Sequence, residues 1–467
     1  MSNIFRAYDV RGIYPTELNE EITAKIAAAT IKFLNAKKIV VGEDARISSS
    51  NLRKAVLDGA TKAGCDVVYI GQSTTPLFYF SVNKLGVDGG IMVTASHNPP
   101  EYNGLKIVGP GAVPVASISG LFQIRDTLPN VCSERDPCEA GSPLEEVTKT
   151  GTVQTASLVK DYLDVLVKGS GLKHKNTKFA IDTSNGMAPV VLKPLFEKLG
   201  LEPFLVNFDI DGSFPNHSPD ISKKENLQQL KNKILEIGAE VGFAFDGDAD
   251  RLTVLDEKGE KLPAEFVVGL LFKAKSRLFR KPKVAYDLRF SRVIRELFGK
   301  NGFPSPTGYV FVRKKMKEID ADLGGELAGH FDFKEMNYAE SAVLAMLKIL
   351  NIVASSGKKV SALVQPFKKY FNSGEINIPI EQNDDLKSGI MNNLKNKYGD
   401  GKQSFLDGIT VEYDSDPASS GARWWFNARF SNTEPLVRVV VEAKTEKLMQ
   451  GKVDELKSVI IKAAANG

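Results

Sequence analysis

The sequence predicts an α/β protein: three consecutive α/β domains with mixed sheets, then a smaller α+β domain at the C-terminus. Three observations predict it. Over roughly the first 370 residues, short apolar runs alternate with stretches of apolar period 3–4, the succession expected of strands and amphipathic helices. The alternation restarts twice, at "KFAIDTSNG" (178–186) and "KVAYDLRFS" (283–291). Around 365–373, "QPFKKYFNS", it stops, and several strand-like runs follow before one final helix, which is an α+β construction.

The elements follow in order. "EEITAKIAAATIKFLNAKK" (20–38) has the spacing of an amphipathic helix, and "KKIVVGED" (37–44), "CDVVYIG" (65–71) and "GGIMVTAS" (89–96) have the apolar runs of buried strands. Each such run ends in Gly, Asp, Ser or Asn, placing polar residues at carboxyl strand ends, where α/β sheets bind ligands. Residues 127–157 are mostly polar with scattered Pro, Gly and Cys, and are expected to be a long connection. The tail supplies "GEINIPI", "GITVEYD", "RWWFNARFS" and "LVRVVVEA" as strands, then "TEKLMQGKVDELKSVIIKAAA" as a helix. The expected domains are 1–150, 151–252, 253–368 and 369–467. No short-period repeat is visible, although the βαβ theme recurs three times.

At 467 residues the chain exceeds what one core can organise. Apolar residues at 42% and charged residues at 25% are ordinary for a globular protein. No apolar run approaches a membrane span, and "MSNIFRAYDV" carries no signal-peptide pattern, so no membrane partner is expected. The three cysteines, Cys65, Cys132 and Cys138, are odd in number and lack a Cys-x-x-Cys spacing, which points to a reduced, cytoplasmic setting. A net charge of +4 leaves room for a positive cleft but argues against a nucleic-acid partner. Four histidines are too few for a His-rich metal centre. Monomer and dimer both stay open.

Four loops carry chemistry. In "GGIMVTASHNPPEYNGLKIV" (89–108) a strand delivers Ser96, with His97 beside it and Lys106 ten residues on. The hydroxyl suits a nucleophile or phosphate carrier, and a plain Ser/Asn turn is the competing reading. In "VGFAFDGDADRLTVLDEKGE" (241–260), Asp246, Asp248 and Asp250 alternate with the small residues Gly247 and Ala249. Small spacers permit a tight turn, so three carboxylates can converge on one hard cation. An EF-hand loop fits Asp246, Asp248, Asp250 and Glu257, but Arg251 stands where its glycine is required, and the flanks have strand character. A Mg²⁺ site with Arg251 nearby to meet an anion fits better. The third loop, "LGGELAGHFDFKEMNYAES" (323–341), presents Glu326 and His330, suited to sugar hydroxyls or equally to a surface turn. The fourth, "ARFSNTEPLVRVVVEA" (428–443), offers Arg429, Ser431, Asn432, Thr433 and Arg438 as a phosphate cradle, with a plain hairpin as the alternative.

Taken together, these loops resemble the α-D-phosphohexomutase family, specifically its phosphomannomutase/phosphoglucomutase branch. "FRAYDVRG" (5–12) is similar to its N-terminal signature, with Arg11 near the site. "TASHNP" (94–99) resembles its phosphoserine loop, "DGDADR" (246–251) its magnesium loop, "GELAGH" (325–330) its sugar-recognition loop and "RFSNTEP" (429–435) its phosphate-binding loop. "DGSFPNHSPD" (211–220) and "PTGYVFVRKKMKE" (306–318), with Thr307, Gly308 and Tyr309, are further matches. The matches run nearly end to end in the family's order. The resemblance implies domains around a central cleft and a resting enzyme phosphorylated on Ser96, whose phosphate completes a Mg²⁺ shell with the three aspartates. It further implies exchange between hexose 6-phosphate and hexose 1-phosphate through a hexose 1,6-bisphosphate, which also serves as activator. Lys106, then His97, are the candidates for proton transfer. Arg11 and Arg251 meet phosphate charge, Glu326 holds sugar hydroxyls, and the fourth domain clamps the distal phosphate.

Two positions depart from the family pattern. Ala328 stands where the sugar loop commonly has serine, and Tyr309 stands where a histidine is often found. Asn432 favours mannose and glucose phosphates over glucosamine phosphate, the alternative substrate, because the glucosamine branch usually has glycine there. A metal-dependent phosphatase would use Ser96 and the aspartates but has no use for a distal phosphate clamp. A catalytically silent sugar-phosphate-binding protein accommodates Ala328 and Tyr309 but does not need the acidic triad.

Overall fold

The computed structural model describes residues 4–128, 150–173, 176–276, 281–381, 384–416, 421–431 and 434–465. The first sheet uses β1 (Val10–Ile13), β2 (Lys38–Glu43), β3 (Asp66–Gln72), β4 (Gly89–Val93), β5 (Tyr102–Gly109), β6 (Val113–Pro114) and β7 (Val153–Thr155). Helices α1 (Glu20–Leu34), α2 (Ser49–Lys62), α3 (Thr75–Leu85) and α4 (Leu121–Asp126) connect them. The strand order is β1-β5-β4-β2-β3-β7, with β6 on β5. β2 runs parallel to β3 and β4, whereas β5 runs antiparallel to β4 and β1, so the sheet is mixed.

Local chemistry explains the element ends. Asn19 caps α1 by accepting from the Ile22 N–H at 3.0 Å. Ile26, Ala27, Thr30 and Ile31 form its buried stripe. The helix stops at Leu34 rather than running to 38, because Asn35 takes the left-handed conformation, φ 48°, and turns the chain. Every residue of β4 is buried, which explains its unbroken apolar run. The connection expected over 127–157 is corrected in part. Val153–Thr155 pairs in parallel with Val67–Tyr69 as β7. All three of its residues are exposed, so no apolar alternation announced the strand; its partner supplies the register.

The second sheet follows α5 (Val159–Ser170) and contains β8 (Phe179–Asp182), β9 (Phe204–Val206), β10 (Val241–Phe245) and β11 (Leu252–Asp256), with α6 (Pro189–Leu199) and α7 (Gln228–Ile237) between. Its order is β11-β10-β8-β9, parallel except for the β10–β11 hairpin. The next segment holds α8 (Ala264–Ser276), β12 (Val284–Asp287), α9 (Arg292–Phe298), β13 (Gly302–Ser305), α10 (Tyr309–Ile319), β14 (Leu323–Gly325), β15 (Phe331–Phe333), β16 (Ala339–Glu340), α11 (Ala342–Ser356) and α12 (Val360–Val364). β12 pairs in parallel with β13 and β14, while β15 and β16 pair antiparallel.

The C-terminal sheet is antiparallel: β17 (Phe371–Asn372) and β18 (Ile376–Pro379) both pair β22 (Leu436–Ala443), followed by β21 (Ala422–Phe430), β20 (Ile409–Asp416) and β19 (Lys402–Ser404). Helices α13 (Asp384–Lys397) and α14 (Glu446–Ala465) cover it, and Trp424, Phe426, Leu394 and Leu456 lie in its core.

Two compact units result, Met1–Val267 with Ala328–Ser361, and Val268–Leu327 with Ala362–Gly467. In the first, Tyr162 of α5 bonds Ser341 at the start of α11 at 3.1 Å. In the second, the C-terminal sheet is fastened to α9. The Arg292 N–H and the Trp425 indole both donate to Glu442, and Arg295 lies over the Trp425 ring while pairing with Glu412. Among the described residues no helix is long and apolar enough to cross a membrane.

Candidate active site

Ser96 stands three residues beyond β4 and is buried, with φ 51°. A left-handed non-glycine residue costs about 1–3 kcal/mol and persists only where its surroundings hold it. Ser96 N–H donates to Thr94 Oγ1 at 2.9 Å, and Ser96 Oγ donates to Asp246 Oδ2 at 3.0 Å. Oγ also lies 3.3 Å from His97 Nδ1. Gly247 is required by proximity: a Cβ there would collide with the Ser96 carbonyl. The strand-end serine and the strand-end aspartates are therefore one site.

Asp246, Asp248 and Asp250 follow β10 and are all buried, and one oxygen from each lies within 4.8 Å of the others. Each is held differently. Asp246 accepts from the Arg251 N–H at 3.1 Å. Asp248 accepts from Thr75 Oγ1 at 2.6 Å and from Lys106 Nζ at 2.7 Å, and Lys106 also reaches Asp250 at 2.5 Å. His330 Nε2 lies 3.4 Å from Asp250 Oδ1, with Arg251 Nε 3.3 Å from the same nitrogen. Asp248 Oδ1 is buried without a hydrogen-bond partner among the described residues.

The electrostatics follow from this crowding. Burial, then the charges of Asp250 and Asp248, push the Asp246 carboxyl well above the usual range. Burial would also raise Asp250, but Lys106, His330 and Arg251 outweigh it and hold that carboxyl well below. His97 is pushed well below the ordinary imidazole value, first by the Arg251 charge, then by burial and by Arg11. It is a neutral ring beside the serine. Three buried carboxylates stand together here, met by Lys106, Arg251 and His330, and Asp248 Oδ1 among them keeps an unused acceptor. Hard oxygen donors at this spacing fit a divalent cation such as Mg²⁺.

Arg11, at the edge strand β1, pairs with Asp9 and donates to Asn98 Oδ1 at 2.5 Å and to the Ala95 carbonyl at 3.4 Å, so it borders the serine loop. His330 meets the acidic cluster through Asp250, and Ala328 sits on the turn just before it.

The second unit gathers another group. Glu375 accepts from Arg289 at 2.5 Å, from Arg429 at 3.2 Å and from Arg438 at 3.0 Å. Asp287, at the end of β12, holds Arg289 in a bidentate pair. The Glu326 charge also acts on Arg289. Arg438 also pairs with Glu434 at 2.6 Å, so three arginine forks are met here by three carboxylates. Ser431 is buried, and its N–H donates to the Leu436 carbonyl rather than outward. Thr307 N–H donates to Asp407 at 3.0 Å, Gly308 takes φ 122°, and Tyr309 opens α10 half-buried. Asn432 and Thr433 lie outside the described residues, as do Cys132 and Cys138. Sequence reasoning missed Thr75, Arg289 and Glu375. Only Arg289 had a signal, an arginine two residues past a strand-end aspartate.

Strand-end acids and a buried serine at positive φ thus meet in one site. Models of phosphoglucomutase/phosphomannomutase alpha/beta/alpha domains I, II and III match residues 2–126, 160–259 and 265–370, and the C-terminal domain model matches 375–458. The chain is similar to the phosphomannomutase of Methanocaldococcus jannaschii, 35% identical over 468 residues that cover 99% of this chain and 98% of that one. It is 36% identical to the phosphomannomutase of Escherichia coli strain K12 over 454 residues, 94% of each. Among solved structures, a phosphoglucomutase/phosphomannomutase family protein from Burkholderia thailandensis aligns with a TM-score of 0.84 and 30% identity, covering 99% of this chain and 98% of that one. The chain belongs to the phosphoglucomutase/phosphomannomutase family of mutase enzymes.

Proposed function

We propose that this protein interconverts hexose 6-phosphate and hexose 1-phosphate, with mannose and glucose as the sugars, by carrying a phosphoryl group on Ser96. The observation that supports this most is the 3.0 Å bond from Ser96 Oγ to Asp246 within the buried triad. The sugar hydroxyl oxygen attacks the phosphorus of phosphorylated Ser96, the bond from phosphorus to Ser96 Oγ breaks, and the hydroxyl proton passes to a protein base. The hexose 1,6-bisphosphate then turns over, Ser96 Oγ attacks the phosphorus of its other phosphoryl group, the bond from that phosphorus to the sugar oxygen breaks, and the sugar oxygen takes up the proton. A Mg²⁺ ion held by Asp246, Asp248, Asp250 and the Ser96 side would supply charge neutralisation for this transfer. Positioning and charge stabilisation carry most of such catalysis.

Lys106, then His97, are the candidates for the proton transfers; the Arg251 charge and burial that keep the His97 ring neutral also oppose its taking up a proton. Lys106, paired to Asp248 and Asp250, accepts one only after giving up its own. Arg11 and Arg251 offset phosphate charge beside Ser96. Glu326 and His330 hold sugar hydroxyls, with Thr307, Gly308, Tyr309 and Ala328 shaping that contact. Arg429, Ser431, Asn432, Thr433 and Arg438 take the phosphate that is not reacting, with Arg289 added to them. In this reading the domains 1–150, 151–252, 253–368 and 369–467 contribute one loop each.

The test has two parts. Mass spectrometry of the purified protein is expected to find a phosphate on Ser96. A coupled assay primed with the matching bisphosphate is expected to favour mannose 1-phosphate or glucose 1-phosphate over glucosamine 1-phosphate. An unmodified Ser96 in an actively turning-over enzyme would overturn the carrier; preference for the amino sugar would overturn the substrate.

A further inference from the structure

The loop "DGSFPNHSPD" found no ligand role above, yet it lies against the serine loop through one buried arginine. Arg46, between β2 and α2, has a side chain with no exposed surface. A guanidinium has five N–H donors, and here every one is used. Nε donates to Asp44 at 3.2 Å. Nη1 donates to the carbonyls of Pro99 at 2.6 Å and Tyr102 at 3.0 Å, and Nη2 to those of Ser96 at 2.9 Å and Asn98 at 2.7 Å. Three carbonyls of the connection between β4 and β5, and that of Tyr102 at the start of β5, thus converge on one cation.

The cation is itself held in place. Asp44 accepts from the Arg46 N–H at 3.0 Å and from Ser49 Oγ at 2.5 Å. The Phe214 ring lies over the guanidinium, 5.0 Å from Cζ to centroid. Gly212 brings that loop into place, since a Cβ there would collide with the Ala45 carbonyl and the Arg46 backbone.

We infer that Arg46 is a positioning residue for phosphoryl transfer, holding the Ser96 loop in its left-handed geometry, and that Phe214 of the second domain keeps the guanidinium seated there. The inference rests on Ser96 being the phosphate carrier. A non-glycine residue at positive φ relaxes unless its neighbours oppose it. The Ser96 carbonyl is one of the Arg46 acceptors, so rotation of this peptide breaks that bond and carries Oγ away from Asp246. Lysine keeps the charge but cannot span four carbonyls from one planar fork. Arg46 does not touch substrate in this account, so its loss falls on turnover rather than on substrate affinity.

The test compares wild type, Arg46→Lys and Phe214→Leu. Misplacement of a reacting group by about 1 Å costs on the order of a hundredfold, so kcat for Arg46→Lys is expected to fall about ten- to a hundredfold with KM for the hexose phosphate within about twofold. Backbone amides over 94–102 should exchange with deuterium faster than in wild type. Phe214→Leu should show the same signs at smaller size, and it carries the test alone if Arg46→Lys does not fold. Wild-type kcat in the folded variants, a loss confined to KM, or a fall in kcat without faster exchange would each overturn the inference. Phosphate on wild-type Ser96, measured first, keeps the two readings apart: its absence is a failure of the carrier, not of Arg46.

Discussion

Ser96 Oγ donates to Asp246 Oδ2 across 3.0 Å, joining residues 150 positions apart. The hydroxyl of a strand-end loop in the first sheet thereby touches the acid loop of the second. Ser96→Ala removes the oxygen that carries the phosphoryl group while leaving the buried carbonyl contacts of the loop in place. The expected loss of turnover is at least about a thousandfold, with positioning and binding alone remaining. The coupled mutase assay measures it, and retention of more than about a tenth of wild-type activity would sink the carrier assignment.

The acidic triad makes a prediction that does not depend on turnover. A cation that binds the folded chain and not the unfolded one stabilises it, by about 2.7 kcal/mol at a hundred times its Kd. Mg²⁺ should therefore raise Tm, and chelation should reverse the rise. Asp248→Asn neutralises the residue whose Oδ1 is buried and unpartnered among the described residues, and should shrink the Mg²⁺-dependent shift. Equal shifts in wild type and variant, by calorimetry, would place the ion elsewhere.

Arg429 shares the Glu375 carboxylate with Arg289 and Arg438. If this group holds the non-reacting phosphate, Arg429→Ala loses one charge-assisted contact, about 1.5–3 kcal/mol, or roughly ten- to a hundredfold in kcat/KM. The same phosphate anchors the bisphosphate, so escape of labelled intermediate should rise. Unchanged kcat/KM with no released bisphosphate would show that the arginines serve the fold alone.

His217 supplies a pH dependence away from the triad. Its Nε2 lies 3.1 Å from Asp182 Oδ2, at the end of β8. Burial works against the charged ring, but the hydrogen bond to Asp182, its charge and the Ser218 carbonyl outweigh it and raise the imidazole above its ordinary value of 6.5. The folded state therefore binds the proton more tightly than the unfolded one. This contribution to stability is fully present below the unfolded-state pKa and is lost as pH rises through the folded one. Imidazole NMR titration should show a midpoint above the ordinary value. In urea unfolding, His217→Gln should flatten the fall in stability across that window, and an identical pH profile would contradict the assignment.

Legibility in the sequence followed the range of the forces involved. The helices of the first sheet announced themselves through spacing, as did α14, because an amphipathic face is written within a few turns. β4 and β10 were legible for a related reason: strands buried on both faces become continuous apolar runs. β7 was not, since a short exposed strand takes its register from a neighbour.

The acid loop and the serine loop were legible as separate pieces, because small residues between carboxylates, and turn residues after a strand, are local requirements. What the sequence by itself determined was this order of domains, the strand ends carrying Ser96 and Asp246, Asp248 and Asp250, and the family they resemble. Only the tertiary structure decided which groups meet. Thr75 supports Asp248 from 173 positions away, Arg46 grips the Ser96 carbonyl from 50, and Glu375 joins Arg429 from 54. Hydrogen bonds and buried charges act over a few ångströms in space, and their partners carry no mark in the local spacing of residues, so chain folding alone assigns them.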